Sequence, residues 1–127
     1  MKKYLIVSII FLCIFAISIT LSYAGTILLK NVTATGAGLP VIVADQDTHT
    51  VECYFTTTGS VTALTVALEG IIDSSHWETL ASHVFSGAEL TAKQTMFHVV
   101  GKKVNRVRAN ITTLAETGTT AITVYYK

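Results

Sequence analysis

The side chains in this chain that could do chemistry are few and far apart. The four histidines, His49, His76, His83 and His98, include no pair with the spacing of a zinc site on a helix or hairpin. No Gly-x-Ser-x-Gly motif marks a serine nucleophile, and the eight acidic residues are scattered. We therefore expect no catalytic residue, no metal site and no cofactor, and we predict that the protein is not an enzyme.

Oxygen-bearing side chains gather in one short loop. Asp45 and Asp47 alternate with Gln46 and Thr48, an arrangement that could hold a surface calcium ion. The loop has neither a third carboxylate nearby nor the glycine of a calcium loop. An ordinary Asx turn is therefore the favoured interpretation.

The basic residues form one small cluster, Lys102-Lys103 with Arg106 and Arg108. The two arginines alternate along a predicted strand and so share one face of it. That face could bind a phosphate or a polyanion, but a solvated strand face is the favoured interpretation. The cluster is too small for a nucleic-acid surface, so we expect no nucleic-acid partner.

Trp77 is the only tryptophan, and two roles fit it. It can pack a hairpin against the core, which is the favoured interpretation. It can instead stack on a sugar ring, in a surface that Tyr54, Tyr125 and Tyr126 would share. Carbohydrate is therefore the alternative ligand.

Cys53 is the only cysteine after residue 24, so an intramolecular disulfide is excluded for residues 25–127. It lies in phase with Val51 and Phe55 along a predicted strand. We expect a buried small hydrophobic side chain, with an intermolecular disulfide as the alternative.

The N-terminal segment has the three parts of a secretory signal peptide. Met1-Lys2-Lys3 is positively charged, residues 4–19 are mostly apolar, and Ser22 and Ala24 are small residues of the kind that signal peptidase requires. This pattern predicts cleavage between Ala24 and Gly25, and a mature chain that is extracellular, on the cell surface or periplasmic. The apolar run approaches the length that spans a bilayer, so an uncleaved anchor is the alternative. It would be the sole contact with a membrane.

Residues 25–127 read as one all-β domain. Threonine, valine and isoleucine are abundant and proline occurs once, which favours pleated strands over helices. Short strands at regular spacing predict a single β-sandwich of seven or eight antiparallel strands, either immunoglobulin-like or jelly-roll. The expected strands are 26–35, 39–44, 48–57, 61–69, 76–81, 95–100, 104–114 and 121–126. The expected turns are 36–38, 59–60, 73–75, 101–102 and 116–118, with one helical turn near 88–90. Gly59-Ser60 is typical of a β-hairpin.

Four segments between about Val61 and Tyr126 resemble a known group of proteins. Leu68-Glu69-Gly70 followed by the run from Asp73 to Leu80 is similar to a hairpin that carries a packed tryptophan. The segment Met96–Val100, the strand Val104–Ile111 and the final Ile122–Tyr126 follow in the same order. Together they resemble small β-sandwich proteins of phage and prophage structural regions. The resemblance implies a sandwich fold and a structural role, and the signal peptide implies an exported use of that fold.

These observations predict a self-assembling extracellular or surface polymer or coat. With the signal lysines removed, the net charge is near zero and slightly acidic, and such a surface is poorly protected against association. We expect a homo-oligomer or polymer, with a secreted carbohydrate-binding or adhesion module as the alternative. The N-terminal strand is the candidate for donation to a neighbouring subunit. Its candidate residues are Thr26, Ile27, Leu28, Leu29 and Val32.

Signal cleavage can be tested by expressing the full chain in a secreting bacterium and measuring the intact mass of the exported product. We expect a product that begins at Gly25. We also expect Ala24→Leu to block processing, because the peptidase accepts only small residues before the cut. A product that keeps residue 1 and stays with the membrane would identify the segment as an anchor.

Overall fold

The computed structural model describes residues 25–44, 46–72 and 75–127. The predicted signal peptide and its cleavage site up to Ala24 lie outside these ranges, as do Asp45, Asp73 and Ser74. The described residues are all-β apart from one short helix, which confirms the predicted class. The elements are β1 (Thr26–Val32), β2 (Gly36–Ala37), β3 (Val41–Ile42), β4 (Thr48–Thr57), β5 (Ser60–Ile71), β6 (Glu78–Val84), α1 (Gly87–Ala92), β7 (Gln94–Val100), β8 (Arg106–Thr117) and β9 (Thr120–Tyr126).

Strand periodicity decides which side chains enter the core. In β4 the odd-numbered side chains from His49 to Phe55 are buried, while the even-numbered ones face outward. In β8 Val107, Ala109 and Ile111 are buried and Arg106 is exposed, as the alternation predicts. A fully buried Val or Leu side chain of this kind contributes about 2 kcal/mol to folding.

The strands form two antiparallel sheets. The first sheet has the order β1-β9-β4-β7, and in the second β2 and β3 share one edge of β8, followed by β5 and β6. The pairs are nested along the chain: β1 with β9, β2 and β3 with β8, β4 with β7, and β5 with β6. An immunoglobulin-like order puts the first and last strands in different sheets. Here they are neighbours, and the nested order fits a jelly roll.

Both sheets contribute to one continuous core. Val51 and Cys53 enter it from the first sheet, and Leu64, Val66 and Leu68 enter it from the second. The buried residues of this cluster run from Leu28 to Tyr126. The described residues of the two sheets thus share one core.

The two turns predicted at 59–60 and 116–118 are not hairpins. β4 and β5 lie in different sheets, and so do β8 and β9. Each turn instead carries the chain from one sheet to the other, and the two connections run side by side. The Thr58 amide donates to the Thr119 carbonyl oxygen at 3.0 Å.

The turn predicted at 36–38 was wrong for its first two residues, because Gly36–Ala37 pairs with β8 as an edge strand. Ala37 pairs with Asn110 of β8, and the next pair is Val41 with Val107. Four residues on the edge therefore match three on β8, so the edge carries a bulge. Pro40 lies in this interruption. Proline has no amide hydrogen to donate, so a sheet edge is where it is tolerated.

The stretch expected to be irregular, 82–93, contains the end of β6 and α1. A capping box begins the helix: the Ser86 hydroxyl accepts from the Glu89 amide, and the Ser86 amide donates to Glu89 Oε2 at 2.7 Å. The predicted helical turn is therefore confirmed. Among the described residues, no helix is long and apolar enough to cross a membrane.

Gly59 provides a test of the corner between the sheets. A Cβ atom at Gly59 would lie 1.5 Å from the Thr117 carbonyl oxygen, so we expect Gly59→Ala to lower the free energy of unfolding by at least about 3 kcal/mol. Gly87 in α1 has open space around its Cβ position and is the matched control. We expect Gly87→Ala to leave stability unchanged or raise it by up to about 1 kcal/mol. Urea unfolding measures both, and equal effects would contradict the close approach.

Candidate functional site: sheet surfaces and open edges

Trp77 lies outside the core cluster, on the outer side of the second sheet. It precedes β6 and is half-buried, with the Arg108 guanidinium carbon 4.3 Å from its ring centroid. Arg108 Nε donates to Glu69 Oε2 at 2.6 Å, and Asn110 Nδ2 donates to Glu69 Oε1 at 2.7 Å. One face of the indole is thus occupied by a cation–π contact. Trp77 packs on the sheet exterior, so the expected position in the core was wrong, while stacking on a sugar ring stays a prediction.

The four residues of the predicted basic cluster have different surroundings. The charge of Arg108 is paired with Glu69, and Arg106 is exposed on the strand. Lys102 and Lys103 instead line an open cavity of about 370 Å³ at one end of the sandwich. Other residues around that cavity are His76, Glu78, Leu80 and Val104.

The predicted tyrosine group divides between two faces of the first sheet. Tyr54 and Tyr125 stack on the outer face, with ring centroids 5.8 Å apart and their hydroxyl oxygens at 3.5 Å. This hydrogen bond raises the pKa of Tyr125. Tyr126 points inward and is buried, which raises its pKa. The expectation that Tyr126 joins an exposed aromatic surface was therefore wrong, because neighbouring residues of a strand face opposite sides.

His49 is fully buried and serves the fold. Its Nε2 donates to the Lys102 carbonyl oxygen at 2.7 Å, since a carbonyl oxygen can only accept. Its Nδ1 lies 2.8 Å from the Tyr126 hydroxyl, which is 2.6 Å from Gln46 Oε1. These contacts tie the loops after β3 and β7 to the end of the first sheet.

His83, Glu89 and Thr95 form a cluster that resembles a catalytic group. His83 Nε2 lies 2.8 Å from Glu89 Oε1 and 3.1 Å from Thr95 Oγ1, and the Thr95 hydroxyl donates to the same carboxylate. In a nucleophile–base–acid relay, the base uses its two different ring nitrogens. Here one nitrogen faces both groups, so the cluster has the geometry of a clamp that holds α1 against β7.

The structure brings no metal ligands together among the described residues. No group of three or more histidine, cysteine, aspartate or glutamate side chains is placed to hold an ion there. Asp45 of the predicted calcium loop lies outside the described residues. In the same loop, the Gly101 amide donates to the backbone carbonyl oxygen of Asp47 at 2.8 Å. Cys53 is fully buried as predicted, and burial raises the pKa of its thiol to about 12.

The large exposed apolar side chains lie mostly at the open edges of the sheets. The described residues include eight such side chains, and six of them belong to edge strands or to the interrupted edge at Pro40. The first sheet has β1 and β7 at its edges, and the second has the β2 and β3 segment and β6. Residue types alone could not reveal this, because edge position depends on long-range pairing. The six residues are Ile27, Leu39, Ile42, Val84, Met96 and Val100.

The predicted donor strand is engaged within its own chain. β1 pairs with β9 at the edge of the first sheet, from Thr26 opposite Tyr126 to Val32 opposite Ile122. Leu28 and Leu29 are buried in the core. Donation would require the exchange of β1 between two copies, and it stays a prediction.

The fold places the chain among two-sheet antiparallel β proteins with a jelly-roll strand order. No protein-family model matches the chain, and no curated protein matches its sequence. Among solved structures, the chain resembles the crystal structure of SPBc2 prophage-derived protein YomS, with a TM-score of 0.51 and 10% sequence identity. The match covers 82% of this chain and 92% of that chain. This likeness supports the resemblance to phage and prophage proteins at the level of the fold.

The α1 clamp predicts how stability depends on pH. Hydrogen bonds from Thr95 and Ser86 lower the pKa of Glu89 from 4.5 to about 2. A lowered pKa in the folded state means that the carboxylate stabilises the protein above pH 4.5 and that this contribution declines as the pH falls toward 2. We expect Glu89→Gln to lower the free energy of unfolding at pH 7. We also expect this free energy to fall less steeply between pH 4.5 and 2 in the variant than in the unmodified protein, as measured by urea unfolding. Glu78→Gln, at an exposed position on β6, is the control, and an equal effect there would contradict the clamp.

Proposed function

We propose that this protein is a non-enzymatic, exported structural subunit that assembles with copies of itself through the edges of its sheets. The observation that carries the proposal is the coincidence of exposed apolar side chains with edge strands. Edge strands present unpaired backbone amide and carbonyl groups, which are templates for pairing with another chain. Apolar side chains beside those groups add buried area to the same contact.

The composition and the fold likeness support the same proposal. The chain is 13% charged with a net charge of +1, so long-range repulsion between copies is weak. The solved structure that it resembles is prophage-derived. We infer a structural role related to that of phage proteins, with export resting on the pattern of residues 1–24.

A carbohydrate-binding or adhesion module is the second candidate, and the Tyr54–Tyr125 pair is the observation that favours it. Tyr54 is 37% exposed on the outer face of the first sheet. The two rings stack on each other, however, and the Trp77 ring is engaged by Arg108. These contacts occupy ring faces on which a sugar could stack, so assembly is the better-supported function.

Sedimentation velocity of residues 25–127 over a range of concentrations tests the assembly proposal. We expect species larger than one chain that grow with concentration. Among the single variants Ile27→Lys, Ile42→Lys, Val84→Lys and Val100→Lys, we expect at least one to weaken association, because a buried lysine charge opposes strand pairing. Thr112→Lys, on the exposed face of the interior strand β8, is the matched control. A monomer at all concentrations would contradict the proposal.

A further inference from the structure

The four sheet edges differ in how well they are protected against pairing. β1 pairs with β9 through two register shifts, carries Lys30 and has a left-handed residue, Asn31, with φ of 51°. The edge formed by β2 and β3 is interrupted at Pro40. β6 carries the charged residue Glu78 at its start, and its pairing with β5 shifts register between Leu68 and Glu69. Bulges, charges and proline are the features by which natural sheets block edge pairing.

β7 has none of these features. Its residues Gln94–Val100 include no Lys, Arg, Asp, Glu, Pro or Gly. It pairs with β4 without a register shift, from Val100 opposite Thr48 to Gln94 opposite Tyr54. Among the described residues, β4 is the only strand that pairs with it. This edge is regular, uncharged and open.

The backbone groups that face the open edge of β7 follow from the pairing of β4. Thr50 bonds with Lys127 on the β9 side, while the Phe55 amide donates to the Lys93 carbonyl oxygen on the β7 side. The odd-numbered residues of β4 therefore bond toward β7, opposite Thr95, Phe97 and Val99, since backbone groups alternate in direction along a strand. The amides and carbonyls left for the open edge belong to Gln94, Met96, His98 and Val100.

Resting on the proposed function, we propose that β7 pairs antiparallel with β7 of a second copy, about a two-fold axis at Phe97. In that register, Met96 lies opposite His98 of the second copy, and Gln94 lies opposite Val100 of the second copy. Every outward amide of one β7 then faces an outward carbonyl oxygen of the other. No Lys, Arg, Asp or Glu lies on either strand. The adjacent acid on this face, Glu52, is ion-paired with Lys127 at 2.5 Å.

This pairing joins two four-stranded sheets into one continuous sheet of eight strands. The far edge of each copy is β1, which is bulged and charged, so the combined sheet stops there. The two-fold contact uses the same surface on both copies and closes on itself. A longer polymer would need a second contact from another edge.

Residue-resolved amide hydrogen exchange of residues 25–127 by NMR tests this contact. We expect the amides of Gln94, Met96, His98 and Val100 to be unprotected in dilute samples and protected in concentrated ones. Thr95, Phe97 and Val99 are bonded to β4, and we expect them to be protected in both. Association that leaves the four outward amides unprotected would overturn the β7 contact while leaving the proposed function standing. A monomer at every concentration would overturn both.

Two variants of Met96 complete the test. Met96→Pro removes an amide hydrogen that faces the open edge, so the bonds to β4 are kept, and Met96→Lys puts a charge at the centre of the contact. We expect both to abolish the dimer while Thr95, Phe97 and Val99 stay protected. Val84→Lys on β6 is the matched control, and we expect it to leave the dimer unchanged. Loss of the dimer in Val84→Lys with its retention in Met96→Lys would overturn the proposal.

Discussion

The corner where the β4–β5 and β8–β9 connections run side by side holds the two sheets together. β4 pairs with β9 in the first sheet, and β5 pairs with β8 in the second, so one two-stranded ribbon bends from sheet to sheet at this point. The Thr119 amide donates to Thr58 Oγ1 at 3.0 Å, and Gly59 lies against Thr117 with no room for a side chain. The bend sets the two inner faces opposite each other, and the shared core depends on that arrangement.

Local properties of the fold could be predicted from sequence, and long-range ones could not. In β4 and β8, apolar residues alternate with polar ones along the sequence, and both strands bury the face that this alternation predicts. Gly59-Ser60 predicts a reversal of the chain, but a reversal is compatible with either a hairpin or a crossing between sheets. The choice depends on β8 and β9, which come about 50 residues later and which no local signal connects to Gly59.

The surface features show the same division. The alternation of β9 puts Tyr125 and Tyr126 on opposite faces, so sequence periodicity was sufficient to separate them. The position of Trp77 was not predictable, because its partner Arg108 comes from a strand 31 residues later. The openness of β7 follows from its having β4 as a neighbour on one side only. Sequence predicts a strand there, and pairing alone decides whether the strand is an edge.

The burial of Cys53 decides how the folded domain responds to oxidants. Thiolates, not thiols, carry out disulfide exchange, and a thiol with a pKa of about 12 stays protonated at physiological pH. Burial also keeps oxidants and other thiols away from the sulfur. Once the domain has folded, its one described cysteine is therefore protected from oxidation and from disulfide exchange, and the core around it stays intact in reducing and in oxidising surroundings alike.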